Sequence, residues 1–281
     1  MAKRPWVLPM LLLSGLINHT SNLNAESLPR WELGIGGGLI QLPDYRGSNE
    51  THTYPYPVLL PIYRGEYLRS NTDGIQGIVK LTPKLEFNLS AYGNVPVTND
   101  NAARAGMDDL DPLLEIGAML RYKTWQSPTQ QQAIIVDFPV RTALAIGEQI
   151  RQVGYTTAPR ISYRHQFNFL NQPWRWSISA EALWSSAALH RYYYQVNSED
   201  ATDWRPVYTA TAGFAGTRLR TSLYHRQRNQ LFSLYAVYDD VSHAVFADSP
   251  LVKQHTGLTI GFIMTWFLWQ SQETVAIKRW E

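Results

Sequence analysis

Strict alternation is the feature that most limits what this chain can become. In WRWSISAEALW, one parity carries Trp174, Trp176, Ile178, Ala180, Ala182 and Trp184, and the other carries Arg175, Ser177, Ser179, Glu181 and Leu183. Successive side chains of an extended strand point to opposite faces, so this stretch has one apolar face and one polar face. A half-buried strand of a soluble sandwich has the same period. Tryptophans at both ends of the apolar face, with small and aliphatic residues between them, also suit a strand crossing a bilayer, with an aromatic ring at each headgroup level. The length agrees with the roughly 9–11 residues of a tilted spanning strand.

The N-terminus bears on that choice. Lys3 and Arg4 precede an apolar core from Trp6 to Ile17, and a polar stretch leads to Leu23-Asn24-Ala25. This is the layout of a secretory signal peptide, cut after Ala25. The competing reading, a membrane anchor, would need a helix of ~20 apolar residues, which this core does not supply. No cysteine comes after it to carry a lipid, and no later run of about 18 apolar residues offers a membrane helix. Residues 1–25 are therefore expected to be a cleaved leader, 26–269 a barrel and 270–281 a C-terminal tail.

Composition narrows the function classes. With 25 Lys plus Arg against 23 Asp plus Glu, the net charge of +2 leaves no basic excess for nucleic acid. The absence of cysteine removes disulfide frameworks, thiolate zinc sites and thiol nucleophiles together. The 10 Trp and 16 Tyr, with a mildly negative mean hydropathy, fit apolar residues interleaved with polar ones better than they fit membrane helices.

Taken in order, Trp31 to Ile40 reads as a first strand with a glycine-rich inner face at Gly34 and Gly36, and Gly34, Gly36, Gly37 and Gly38 together raise the question of a phosphate-cradling loop. A phosphate-cradling loop would need a helix after these glycines, but the next residues, Gln41-Leu42-Pro43-Asp44, make a turn. Tyr54 to Tyr63 (YPYPVLLPIY) is punctuated by prolines, which predicts a short and irregular element. Gly74 to Leu81 and Leu85 to Ala91 form a hairpin across Thr82-Pro83-Lys84. Gly93 to Asp111 is a long connection in which Asp108, Asp109 and Asp111 are the best metal candidates, hard oxygen ligands of the kind calcium takes. Their spacing does not match a calcium-binding helix–loop–helix, and an acidic solvated loop is the competing expectation. Regular alternation continues over Leu114 to Lys123, Ile134 to Arg141, Ile161 to Phe167 and the opening stretch. After a second long connection, Leu189 to Arg205, it resumes over Tyr208 to Phe214, Arg218 to Leu223, Phe232 to Tyr238 and Leu258 to Leu268.

About twelve such segments (10–12), with no helical period competing, predict an all-β fold, an antiparallel transmembrane β-barrel. Trp174, Trp176, Trp184, Phe262 and Trp266 are then aromatics of the lipid face. Glu86, Glu115, Arg121, Arg141, Arg160, Arg164, Arg175, Glu181, Arg218 and Arg220 point into the lumen. Charges of both signs there either pair and plug the barrel or line a small polar channel.

These residues resemble the outer-membrane family of MltA-interacting protein, MipA/OmpV. The resemblance rests on PDYRGS (Pro43, Asp44, Tyr45, Gly47 and Ser48 among them) and on NDNAARAGMDDLDPLLEIG, with Gly106, Met107, Asp108, Asp109, Asp111 and Glu115. It rests also on RYYYQV from Arg191 to Val196 and on AVFADSPLV, with Asp248, Ser249 and Pro250. The motifs keep their order over nearly all of the chain after the leader. The resemblance implies a barrel in contact with outer-membrane lipid, without a cofactor. One branch is a scaffold joining a murein lytic transglycosylase to a murein synthase, and others are adhesins or small-solute and osmotic-stress proteins. One departure is visible: such barrels usually end on an aromatic, for which Phe267 or Trp269 would serve, whereas this chain continues to Glu281 as a periplasmic tail or an extra edge segment.

An enzymatic reading finds little to work with. Of the 7 histidines, His243 near Asp248 and Ser249 comes nearest to a triad, but a loop does not orient base and nucleophile. Asp248-Ser249-Pro250 reads more simply as a turn.

Overall fold

The computed structural model describes residues 26–71, 74–93 and 101–277; the expected leader lies outside them. The chain opens with β1 (Glu26–Pro29) and β2 (Trp31–Pro43), then β3 (Thr51–Arg64), β4 (Leu68–Asn71), β5 (Gly74–Lys80) and β6 (Leu85–Gly93). After a 3-10 turn at Ala102–Arg104 come β7 (Leu113–Gln126), β8 (Gln132–Ile146), β9 (Ile150–Thr157), β10 (Arg160–Phe169) and β11 (Gln172–Ser185). Helix α1 (Ala187–Tyr194) separates these from β12 (Gly213–Gln227), β13 (Gln230–Asp240), β14 (Thr256–Gln270) and β15 (Thr274–Ile277).

Consecutive strands pair antiparallel, β14 returns to β2, and β8 pairs with β10 to close the ring. β9 and β10 run in line along β8, the first pairing from Val140 to Ile146 and the second from Gln132 to Asp137, so together they supply one staggered wall strand. The result is a closed antiparallel barrel of twelve strands. Closure is what hydrocarbon demands, since no water is there to satisfy a free edge. No helix among the described residues is long and apolar enough to cross a membrane.

The two parities separate onto the two faces of the wall. Trp174, Trp176 and Trp184 lie on the outer face of β11, and Phe262 and Trp266 on that of β14, beside Leu219, Leu234 and Tyr238. Trp174 stacks on His225 at the short-turn end (4.4 Å between centroids), while Trp184 packs on Phe214 at the long-loop end. Aromatics thus border both ends of an apolar band.

Several expectations need correction. The proline-punctuated segment is not short: β3 has 14 residues and pairs with β2 throughout. Pro55, Pro57 and Pro61 share one parity, and alternate residues of a strand direct their backbone groups to opposite neighbours. Ser70 of β4 donates to the Pro61 carbonyl at 2.8 Å, so this parity faces away from β2 and the missing donors cost the β2 ladder nothing. The strand expected from Tyr208 to Phe214 begins only at Gly213, because Tyr208 exchanges backbone bonds with Val196 and the Ala210 N–H donates to the Gln195 side chain. Its last two residues, Gly213 and Phe214, join the segment expected at Arg218 to Leu223 in one strand, β12. Helix α1 overlaps the start of the second long connection, where no helical period was read, and β9 and the short β4 were not visible as alternation. Beyond β14, where a periplasmic tail or an extra edge segment was expected, β15 pairs with β1 in a two-stranded ribbon at the short-turn end.

At the inner glycines of β2 the backbone of β14 fills the space a side chain would need. A Cβ on Gly36 or Gly38 would overlap the Met264 or Phe262 carbonyl of β14, whereas one on the outer-parity Gly37 would sit 3.7 Å from the Tyr56 carbonyl, an ordinary contact. Gly38→Val is therefore expected to abolish the compact, heat-modifiable form on gels, and Gly37→Ala to retain it. Normal migration of Gly38→Val would refute this account of the close approach between β2 and β14.

Candidate functional site

Turning the apolar parity outward leaves charge inside. Asp137 of β8, fully buried, accepts from Arg121 of β7 at 2.8 Å and from Arg160 of β10 at 2.5 Å. Glu181 of β11 lies between Arg160 at 3.7 Å and Arg220 of β12 at 3.3 Å, which extends the chain of charges around the wall. Nearer the short turns, Glu32 of β2 holds Arg64 of β3 at 2.5 Å and Arg226 of β12, and Lys123 of β7 binds Glu86 of β6 at 2.7 Å. Nearer the long loops, Asp239 of β13 binds Arg218 at 2.9 Å, and Glu115 faces Arg141 at 4.0 Å. Glu115 is also within electrostatic reach of Arg218 on a distant strand, so the network spans the lumen. Arg164 and Arg175 occupy the same inner face of β10 and β11. The structure thus places the ten lumen candidates on the inner parity. What the sequence did not single out is that Asp137, Asp239 and Glu32 are the anions around which the arginines gather; their parity was visible, their cross-strand partners were not.

The long loops close the mouth at one end. Tyr45, from the turn after β2, is buried and donates its hydroxyl to the Leu251 carbonyl at 2.7 Å. Tyr194, at the end of α1, stacks on Phe246 with 3.7 Å between centroids, donates to the Arg46 carbonyl at 2.9 Å, and accepts at its own carbonyl from Ser249 at 2.9 Å. Asn101 donates to Asp44 at 2.7 Å and to Ser48 at 3.0 Å while its carbonyl oxygen caps the 3-10 turn. Arg104 donates to the carbonyls of Tyr193 and Asp108, and Arg205 to those of Ala103 and Ala105. Gly47, held at φ +100°, accepts at its carbonyl from the Lys253 backbone at 2.7 Å. Burial pushes the phenols of Tyr45 and Tyr194 well above their ordinary range and that of Tyr192 up to about 12, and it lowers the Arg104 guanidinium.

All four family motifs therefore meet in one cap, and Arg46 ties that cap to the lumen by donating to Asp239 at 2.7 Å. The stretch from Asn101 onward is not the solvated acidic loop that was expected: Asn101, Ala103, Arg104, Met107 and Leu110 are buried, because the loop folds across the mouth. Asp108 and Asp109 are exposed, and Asp111 pairs with Arg151 at 3.4 Å. Among the described residues no three potential metal ligands gather. Gly106 takes φ +80° at the turn after the 3-10 segment. Asp248, Ser249 and Pro250 form a turn, closed by Val252 N–H donating to the Ser249 carbonyl at 2.9 Å, and the Ser249 hydroxyl is committed to Tyr194.

The sequence matches the family model described as MltA-interacting protein MipA over residues 35–268, a span that includes every motif in the cap. No curated protein matches it.

Two outcomes test this site. Asp137→Asn leaves Arg121 and Arg160 facing each other without their carboxylate and is expected to cost about 3–5 kcal/mol in denaturant unfolding; a change below ~1 kcal/mol would mean the network is hydrated and dispensable. His190 donates through Nδ1 to the Thr211 carbonyl at 2.6 Å and packs edge-on against Phe246, and burial holds its pKa below the usual 6.5. As pH falls through that value the unfolded segment gains a proton that the folded one resists, so the cap loses stability on acidification. Amide exchange over residues 187–194, corrected for its intrinsic rate, should accelerate between about pH 7.5 and 5.5, and His190→Gln should flatten the response.

Proposed function

The chain belongs to the MltA-interacting protein family, and from that membership and the closed cap we propose that it is an outer-membrane attachment point for murein enzymes rather than a conduit. The observation that carries this reading is the sealing of the long-loop mouth by buried side chains that are themselves bonded to the lumen charges. A barrel so filled offers its surface, and barrels of this class turn their short connections to the periplasm, where murein lies. The ribbon of β1 and β15 sits at that end, tied by Arg30 to Glu273 at 2.9 Å. Beside it a shallow cleft of about 420 Å³ is lined by Arg30, Tyr63, Gly65, Glu66, Tyr67 and Leu68. Tyr67 is 71% exposed, and an exposed aromatic next to an arginine is the composition of an interaction hot spot. The partners are a murein lytic transglycosylase and a bifunctional murein synthase, with export through a cleaved leader.

Immobilised protein should enrich a lytic transglycosylase and a synthase from solubilised envelopes over an unrelated barrel, and equal recovery from both would end the scaffold reading. Tyr67→Ala should reduce that recovery about tenfold; unchanged recovery would move the interface away from the cleft. In planar bilayers the folded protein should be electrically silent, and stepwise conductance would favour a narrow channel for small solutes.

A further inference from the structure

One sector of the lumen is out of charge balance. The inner faces of the adjacent strands β10, β11 and β12 carry Arg160, Arg164, Arg175, Arg218, Arg220 and Arg226, while the three strands hold a single carboxylate, Glu181. Neighbouring strands lend three more, but each already serves a second arginine. Asp137 holds Arg121 as well as Arg160, Asp239 holds Arg46 as well as Arg218, and Glu32 holds Arg64 as well as Arg226. Glu181 itself is divided between Arg160 at 3.7 Å and Arg220 at 3.3 Å. The chain as a whole carries a net charge of only +2, so this excess is local.

The register gives the sector a floor. Ser177 of β11 stands between Arg164 of β10 and Ser222 of β12, and the Ser177 and Ser222 hydroxyls meet at 2.7 Å. Arg175 is the neighbouring inner residue along β11, and Arg220 the neighbouring inner residue along β12. Small hydroxyl side chains are thus ringed by long cationic ones, and both serines are half-buried rather than covered. Solvent reaches this level: the Arg220 side chain is 31% exposed although it points inward, and Arg175, close to the short turn, is exposed as well. With the long-loop mouth shut around Tyr45 and Tyr194, the sector is a blind pocket reached from the short-turn end.

Surplus charge inside a low-dielectric wall draws an anion, because the wall focuses the field. The composition selects which anion. All of these cations are arginines, whose planar forks pair bidentately with the oxygens of a phosphate, whereas a chloride offers no second oxygen. Serine hydroxyls add donors to the same oxygens. We propose that the lumen binds a phosphate-type oxyanion over Ser177 and Ser222, gripped by Arg164, Arg175 and Arg220 and admitted from the short-turn end. The bound anion neutralises the charge that the shared carboxylates leave over. The site needs neither murein nor a murein enzyme, so it stands or falls apart from the attachment role.

Equilibrium dialysis of the detergent-folded protein against radiolabelled inorganic phosphate tests this, with heat-modifiable migration confirming that each variant is folded. Uptake should saturate at about one phosphate per barrel. Unlabelled sulfate should compete, and chloride at equal ionic strength should be at least about tenfold weaker. Arg164→Gln and Arg220→Gln should each weaken binding by about tenfold or more, and Lys84→Gln, an equal loss of charge on an exposed turn, should leave it unchanged. No saturable uptake, chloride displacing as well as sulfate, or unchanged affinity in both lumen variants overturns the site. Two lumen variants keep the test decisive if one fails to fold.

Discussion

The lumen charges are what the rest of this structure depends on. A soluble sheet protein is held by apolar packing inside, and this one has turned that material outward, leaving Asp137, Glu181, Asp239 and Glu32 to hold the arginines of neighbouring strands, Glu32 reaching Arg226 of the more distant β12 as well. Burying such pairs returns little net stability, because desolvation offsets most of the attraction. Their value lies in register. A slip by one residue would carry Arg121, Asp137 and Arg160 to the lipid side, where each charge costs up to roughly 2–4 kcal/mol. Alternation defines two faces for each strand, and the ion pairs decide which residues of adjacent strands stand level.

The cap inherits its position from that network. Arg46 leaves the turn after β2 and reaches Asp239, already bound by Arg218, so a loop residue shares a carboxylate with a wall residue. Around it the loops are knit by side chains bonded to backbone carbonyls: Tyr45 to Leu251, Tyr194 to Arg46, Arg104 to Tyr193. Such bonds fix loops that lack a ladder of their own. The two ends of the barrel thereby differ in kind. One is closed by packed loops, and the other carries short turns and a two-stranded ribbon.

How much of this was legible depends on the physics of each part. Which way Trp174, Arg175 and Glu181 point was readable, because period-two alternation is local. Where alternation meets proline the reading failed at β3, since three prolines on one parity are compatible with a full ladder on the other side, and parity against a neighbour depends on register. Tyr208 to Ala212 alternates as well as any strand, yet Tyr208 and Ala210 spend their backbone groups on Val196 and Gln195, partners invisible along the chain. Helix α1 was lost in its length: Ser186 caps it at Leu189, but eight residues show too little of the helical period. Asp137 shows its inward parity in the sequence, and nothing in the sequence shows that two arginines from different strands converge on it.

The same contrast explains where the family signature lies. A lipid-facing position accepts any apolar side chain, because the solvent it meets is uniform, so the outer wall of β11 or β14 constrains sequence only in kind. A cap position has one partner at one distance. Asn101 must donate to Asp44 and Ser48 while accepting from Ala103, and Tyr194 must stack on Phe246 while its carbonyl receives Ser249. Replacing any of these by a chemically similar residue breaks at least one bond. The motifs that carry the resemblance are therefore residues that knit the cap together, whereas the outer-face residues of the wall are specified only as apolar.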